Sequence, residues 1–97
     1  MSQHPAQELP IRSKLQMLDD IIQIIHYLHA GNRKKGEPLI DDLKIRSLFL
    51  DDAIQQDVLI FCEQVCFQYD YDPWHKVTQD VQQSADKLID HLGFTMS

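Results

Sequence analysis

Two histidines and two cysteines are the side chains in this sequence best suited to hold a metal ion. His26 and His29 stand three residues apart and Cys62 and Cys66 four apart. On a helix either spacing brings both side chains to one face. Facing one another across a helix pair, the four would offer zinc the tetrahedral nitrogen and sulfur set it favours. The competing role is packing, because a buried cysteine ordinarily behaves as a small hydrophobe. A disulfide within the pair is disfavoured: helical i, i+4 Cβ atoms lie about 5–6 Å apart, and the bridge prefers about 3.5–4.5 Å. Core packing is therefore the expected role of the cysteines, with no metal or other cofactor, and the four-ligand set is the alternative. His75 and His91 read as surface residues of the last helix, without the Ser, Cys or carboxylate partner that would make a catalytic group. A Gly-rich phosphate loop, a nucleophile elbow and a zinc-protease motif are all missing from the sequence. No enzymatic activity is expected.

Asp41, Asp42, Leu43, Lys44, Ile45, Arg46, Ser47 and Leu48 form a stretch of another kind. It loosely resembles the segment of acyl carrier proteins that bears phosphopantetheine, which typically runs Asp-Leu-Gly, one residue, then Asp-Ser-Leu. Asp42-Leu43 and Ser47-Leu48 keep that spacing, and the order of elements is also similar. Lys44 stands where that family has Gly, and Arg46 where it has the Asp before the Ser. The resemblance covers eight residues, and it implies Ser47 as the attachment site of a prosthetic arm.

Helical periodicity dominates the chain. Residues 1–10 read as a flexible polar tail and residues 11–97 as a single helical domain. The first helix is expected over residues 13–30. Ile11, Leu15, Leu18, Ile22, Ile25 and His29 fall together on a helical wheel, and Met17, Ile21, Ile24 and Leu28 widen the stripe to about half the circumference. Gln16, Asp20, Gln23 and Tyr27 take the opposite face. Gly31 supplies the stop. Residues 31–38 read as a polar loop, whose Arg33, Lys34 and Lys35 would offset the dipole of the preceding helix end. A short second helix follows over about 39–49. The third, over 51–69, carries Ile54, Val58, Phe61, Cys62, Val65, Cys66 and Tyr69 at helical spacing, with Asp51 and Asp52 as capping carboxylates. Asp72-Pro73 predicts the start of the fourth, since Asp caps and Pro suits the first helical position. Its stripe is Trp74, Val77, Val81, Ala85, Leu88 and Leu92, closed by Gly93. The expected fold is all-α: a small antiparallel bundle of three long helices and one short one, with the third helix central. The expected core is Leu18, Ile22, Ile25, Ile54, Val58, Phe61, Val65, Val77, Val81 and Leu88.

With 97 residues, 43% of them hydrophobic and 25% charged, the composition is that of one ordinary globular domain. A net charge of −6 argues against nucleic-acid binding, which needs clustered Lys and Arg. No run approaches the roughly 18 apolar residues of a membrane span. The first ten residues lack an apolar signal core. A cytoplasmic protein with reduced thiols is expected.

Apolar side chains exceed what the expected core needs. Phe49, Ile60 and Phe67 emerge on the far side of the third helix, and Tyr71 and Trp74 add aromatic surface beside them. Tyr and Trp are enriched at interfaces. The expected function is a non-enzymatic protein–protein interaction module: a regulator, adaptor, chaperone or inhibitor that binds a partner protein or its own copy as a dimer. Val58→Asp buries a charge in the expected core and should abolish cooperative thermal unfolding followed by circular dichroism. A variant that still melts cooperatively would refute the wheel assignment.

Overall fold

The computed structural model describes residues 5–71 and 77–94, with side chains from residue 13 onward. Among these residues the chain is all-helical with no strand: α1 Pro5–His29, α2 Arg33–Ser47, α3 Asp52–Tyr71 and α4 Gln79–His91. Packing is mainly between sequence neighbours, α1 on α2, α2 on α3 and α3 on α4. This is compatible with a small bundle. Among the described residues no helix is long and apolar enough to cross a membrane.

Local chemistry explains most of the boundaries. Gly31 and Gly93 adopt positive φ, as glycine readily does. After α1, the amides of Gly31 and Asn32 donate to the carbonyls of Leu28 and Tyr27. After α4, those of Gly93 and Phe94 donate to Asp90 and Ile89. Both are Schellman closures, which satisfy carbonyls a helix end would leave unpaired. Asn32 then also caps α2, its side chain accepting from the Lys35 amide. Asp51 caps α3 as expected, accepting from the Ile54 amide at 3.0 Å. The end of α2 has no glycine. It tightens through i→i+3 bonds from Leu48, Phe49 and Leu50.

Several boundaries differ from the sequence reading. α1 begins at Pro5, so it reaches into the stretch read as a tail. α2 begins at Arg33, inside the stretch read as a loop, and contains both Gly36 and Pro38. Pro38 stands inside the helix, past its first turn, and deprives it of the i→i−4 hydrogen bond to the Lys34 carbonyl. Gly36 serves a contact: a Cβ built there would stand 2.5 Å from the Tyr69 hydroxyl of α3. That hydroxyl donates to the Asn32 carbonyl at 3.4 Å. The basic cluster thus opens α2, where cations oppose the dipole, and Arg33 is neutralised by Glu37 at 3.1 Å and Asp70 at 2.6 Å. α4 starts at Gln79 behind Thr78, which accepts from the Val81 amide. Asp72, Pro73, Trp74 and His75 lie outside the described residues.

The core is one cluster. It contains the expected Ile54, Val58, Phe61, Val65, Val81 and Leu88, with Val77, Leu18 and Ile25 half-buried against it. On α1 the wheel needs rotation. Met17, Ile21, Ile24 and Leu28 are fully buried, whereas Ile22 is 50% exposed. An apolar stripe half a circumference wide does not fix its own centre, and packing against α2 selected one edge of it. The same rotation buries Asp20, which the sequence reading put on the solvent face.

Gly36→Ala should test the α2–α3 contact. In an unconstrained helix the change gains up to about 1 kcal/mol, but here the new methyl displaces the Tyr69 hydroxyl and should cost about 1–3 kcal/mol in urea unfolding. Adding Tyr69→Phe should restore most of the loss, because the next ring atom sits at 3.4 Å. Additive losses in the double-mutant cycle would show that the contact does not limit packing.

Candidate functional site

The tightened end of α2 determines the most prominent surface feature. Without a glycine to turn the chain inward, the turn leaves Leu48 67% and Phe49 80% exposed. Ile45, one turn earlier on α2, is 58% exposed, and Leu59 of α3 is 57% exposed. Ile45, Leu48 and Leu59 line a shallow groove of about 160 Å³ together with Lys44, Ser47 and Gln55. Gln55 fixes the floor by donating to the Leu50 carbonyl at 2.8 Å. This apolar corner is edged by Lys44 and by Ser47, whose hydroxyl is engaged with the Lys44 carbonyl.

The residues singled out as a contact patch divide between two places. Phe49 belongs to the α2–α3 corner. Ile60, Phe67 and Tyr71 are all exposed and share one face of α3 by spacing. Phe67 and Tyr71 stack with centroids 4.5 Å apart. Ile60 instead lines a cleft with α4, and Phe67 a hollow with Glu63, Gln64 and Asp80. Trp74 lies outside the described residues. Ile45, Leu48 and Leu59 were not singled out from sequence. Their signal was available, since each falls off the buried arc of its helix.

The cleft beside Ile60 holds the one group that most resembles catalytic machinery. Asp57 is buried on α3, and His91 at the end of α4 donates Nδ1–H to its Oδ2. Lys87 Nζ lies 3.8 Å from Oδ1. His91 therefore has a carboxylate partner, contrary to the sequence reading. Asp57 lies at the edge of the buried arc of α3, on the Phe61 side of Ile54, and a carboxylate bordering a core face signals a needed counter-group. A carboxylate that orients an imidazole supplies two of the three members of a hydrolytic triad. The cleft of about 360 Å³ is otherwise lined by Asp52, Ala53, Gln56 and Ile60, which include no Ser, Thr or Cys nucleophile. The pair ties α3 to α4 through a side-chain hydrogen bond.

The alternative site residues are not assembled. His26 and His29 are exposed, Cys62 is in the core and Cys66 is half-buried. Among the described residues no three His, Cys, Asp or Glu side chains come together to hold a metal ion. Burial pushes the Cys62 thiol up to about 12, away from the thiolate that metal binding or nucleophilic attack requires. Ser47 is the last residue of α2 and is buried, its hydroxyl donating to the Lys44 carbonyl at 2.6 Å. Attachment of an arm there would require the end of α2 to open.

In comparisons with known proteins, no family model, no curated protein and no solved structure matches this chain.

His91→Ala should lower stability by about 1–3 kcal/mol, because the buried Asp57 carboxyl loses its hydrogen-bond partner on α4. Lys87→Ala, which removes a longer contact from an exposed side chain, should change stability by less than about 1 kcal/mol. Urea midpoints of the two variants compare them directly, and equal losses would contradict the assigned dominance of His91.

Proposed function

We propose that this protein is a non-enzymatic interaction module that binds a partner protein, or a second copy of itself, through the apolar corner between α2 and α3. The carrying observation is that Ile45, Leu48 and Leu59, all large and exposed, line one groove, with exposed Phe49 next to Leu48 in the chain. Burying such a side chain is worth roughly 1.5–3 kcal/mol. A cluster of this kind on a small domain marks a contact site more often than does a scattered apolar surface. Ile60, Phe67 and Tyr71 form a second contact face on α3, reached by a larger partner. In this reading the scaffold is an antiparallel bundle of three long helices and one short one with α3 central; the second helix, read from sequence as the short one, spans Arg33–Ser47. The protein works in the cytoplasm as a regulator, adaptor, chaperone or inhibitor.

A photo-crosslinking residue at Phe49, with one at exposed Gln83 as control, tests the proposal in the native host. The expected product is a dimer or a complex with one defined protein at Phe49 only. Leu48→Glu combined with Leu59→Glu should abolish that product while far-ultraviolet circular dichroism stays unchanged. Ile60→Glu combined with Phe67→Glu reports on the second face. A product that survives both pairs, or equal yields at Phe49 and Gln83, would refute the assigned surface.

A further inference from the structure

Asp20 is the most unusual polar residue in the fold. It lies on α1 with its side chain fully buried, beside the core residues Met17, Ile21 and Ile24. One carboxyl oxygen, Oδ1, accepts from Gln16 Nε2 at 3.0 Å. The other, Oδ2, is buried and receives no donor from the described residues. The group beside it is a second carboxyl, Asp42 of α2, whose Oδ2 is held by Arg46 Nε at 2.8 Å. Gln16 on its own helix and Asp42 and Arg46 on α2 are the groups that act on Asp20.

Two ionised carboxylates cannot satisfy each other, since both only accept hydrogen bonds. A proton on Asp20 removes the conflict. The hydroxyl donates to Asp42, the buried oxygen gains its partner, and Arg46 faces a single negative charge. We propose that Asp20 and Asp42 form a proton-operated latch between α1 and α2, closed while one proton is shared and weakened when that proton is lost. The charges around the pair point the same way. Burial, then the hydrogen bond with Asp42, raises Asp20 to about 7, while the hydrogen bond from Asp20 lowers Asp42. The pair titrates as a unit, with Arg46 fixing the charge on the Asp42 side.

The sign of the effect follows by linkage. Between the ordinary value of 3.8 and about 7 the folded chain retains a proton that the unfolded chain has released. Folding is therefore favoured fully at the acid end of that window and is weakened as pH rises through it. The limiting slope is about tenfold in the folding equilibrium constant per pH unit. Above the folded-state value the contribution levels off with the latch open. Most buried carboxylates that are salt-bridged give the opposite slope, because they lose stability in acid.

Urea unfolding of the full chain between pH 5 and pH 9 tests the latch against Asp20→Asn. The Asn amide donates permanently to Asp42 and so imitates the protonated state. The variant should lack the wild-type loss between pH 5 and 7, and at pH 8 it should exceed wild type in folding equilibrium constant by at least tenfold. An unchanged slope, or a variant less stable than wild type at pH 8, would overturn the proposal. Should the variant not fold, the carboxyl carbon of Asp20 in the wild-type chain is followed by nuclear magnetic resonance. A midpoint near 7 supports the latch, and one near the ordinary 4 refutes it.

Discussion

The close approach of Tyr69 to Gly36 is the constraint on which the rest of the architecture depends. α1 and α2 pack extensively on each other, as do α3 and α4, while α2 and α3 share a smaller interface. That seam joins the two helix pairs. At its top the Tyr69 ring enters the space a side chain at position 36 would occupy, under the Arg33 guanidinium 5.6 Å from its centroid. Arg33 continues to Asp70 at 2.6 Å. One small residue, one aromatic ring and one cation thus set the distance between the halves, and the core below closes only at that distance.

Buried polar groups then fix how each helix sits on its neighbour. Asp20 with Asp42 relates α1 to α2, and Asp57 with His91 relates α3 to α4. Gln68, buried on α3, accepts from the Thr78 amide at 2.9 Å and so positions the residue that caps α4. Apolar surfaces tolerate sliding by a turn, whereas a buried polar atom loses its partner when displaced. The helix pairs are therefore aligned by their least hydrophobic buried members.

Much of this was readable in the sequence. The all-helical class, the stops at Gly31 and Gly93, the Asp51 cap and the α3 and α4 stripes follow from periodicity and end chemistry. The α1 face was not legible, because nine apolar residues spread over half a wheel allow more than one centre, and Asp20 looked solvent-facing until Asp42 was known to stand beside it. The GNRKKGEP stretch reads as a loop by propensity, yet Gly36 is present for Tyr69, and no local signal identifies a distant tyrosine. Asp72-Pro73 and Thr78 are both sound helix starts, and Val77 suits a core position with either. Of the contact surface, Phe49, Ile60, Phe67 and Tyr71 were legible as surplus apolar residues. The α2–α3 groove was not, since it exists only where two helices meet.

The double use of Asn32 has a consequence for the order in which the chain assembles. Its amide closes α1 while its side chain opens α2, so the turn between them contains no residue free of structural duty. Forming either helix end pre-shapes the other, and the α1–α2 pair is closed through a very short loop at small entropic cost. With packing mainly between sequence neighbours, each pair of neighbouring helices is a local unit of low contact order that collapses rapidly. The seam at Gly36 and Tyr69 then becomes the late step, in which two preformed halves search for one fit.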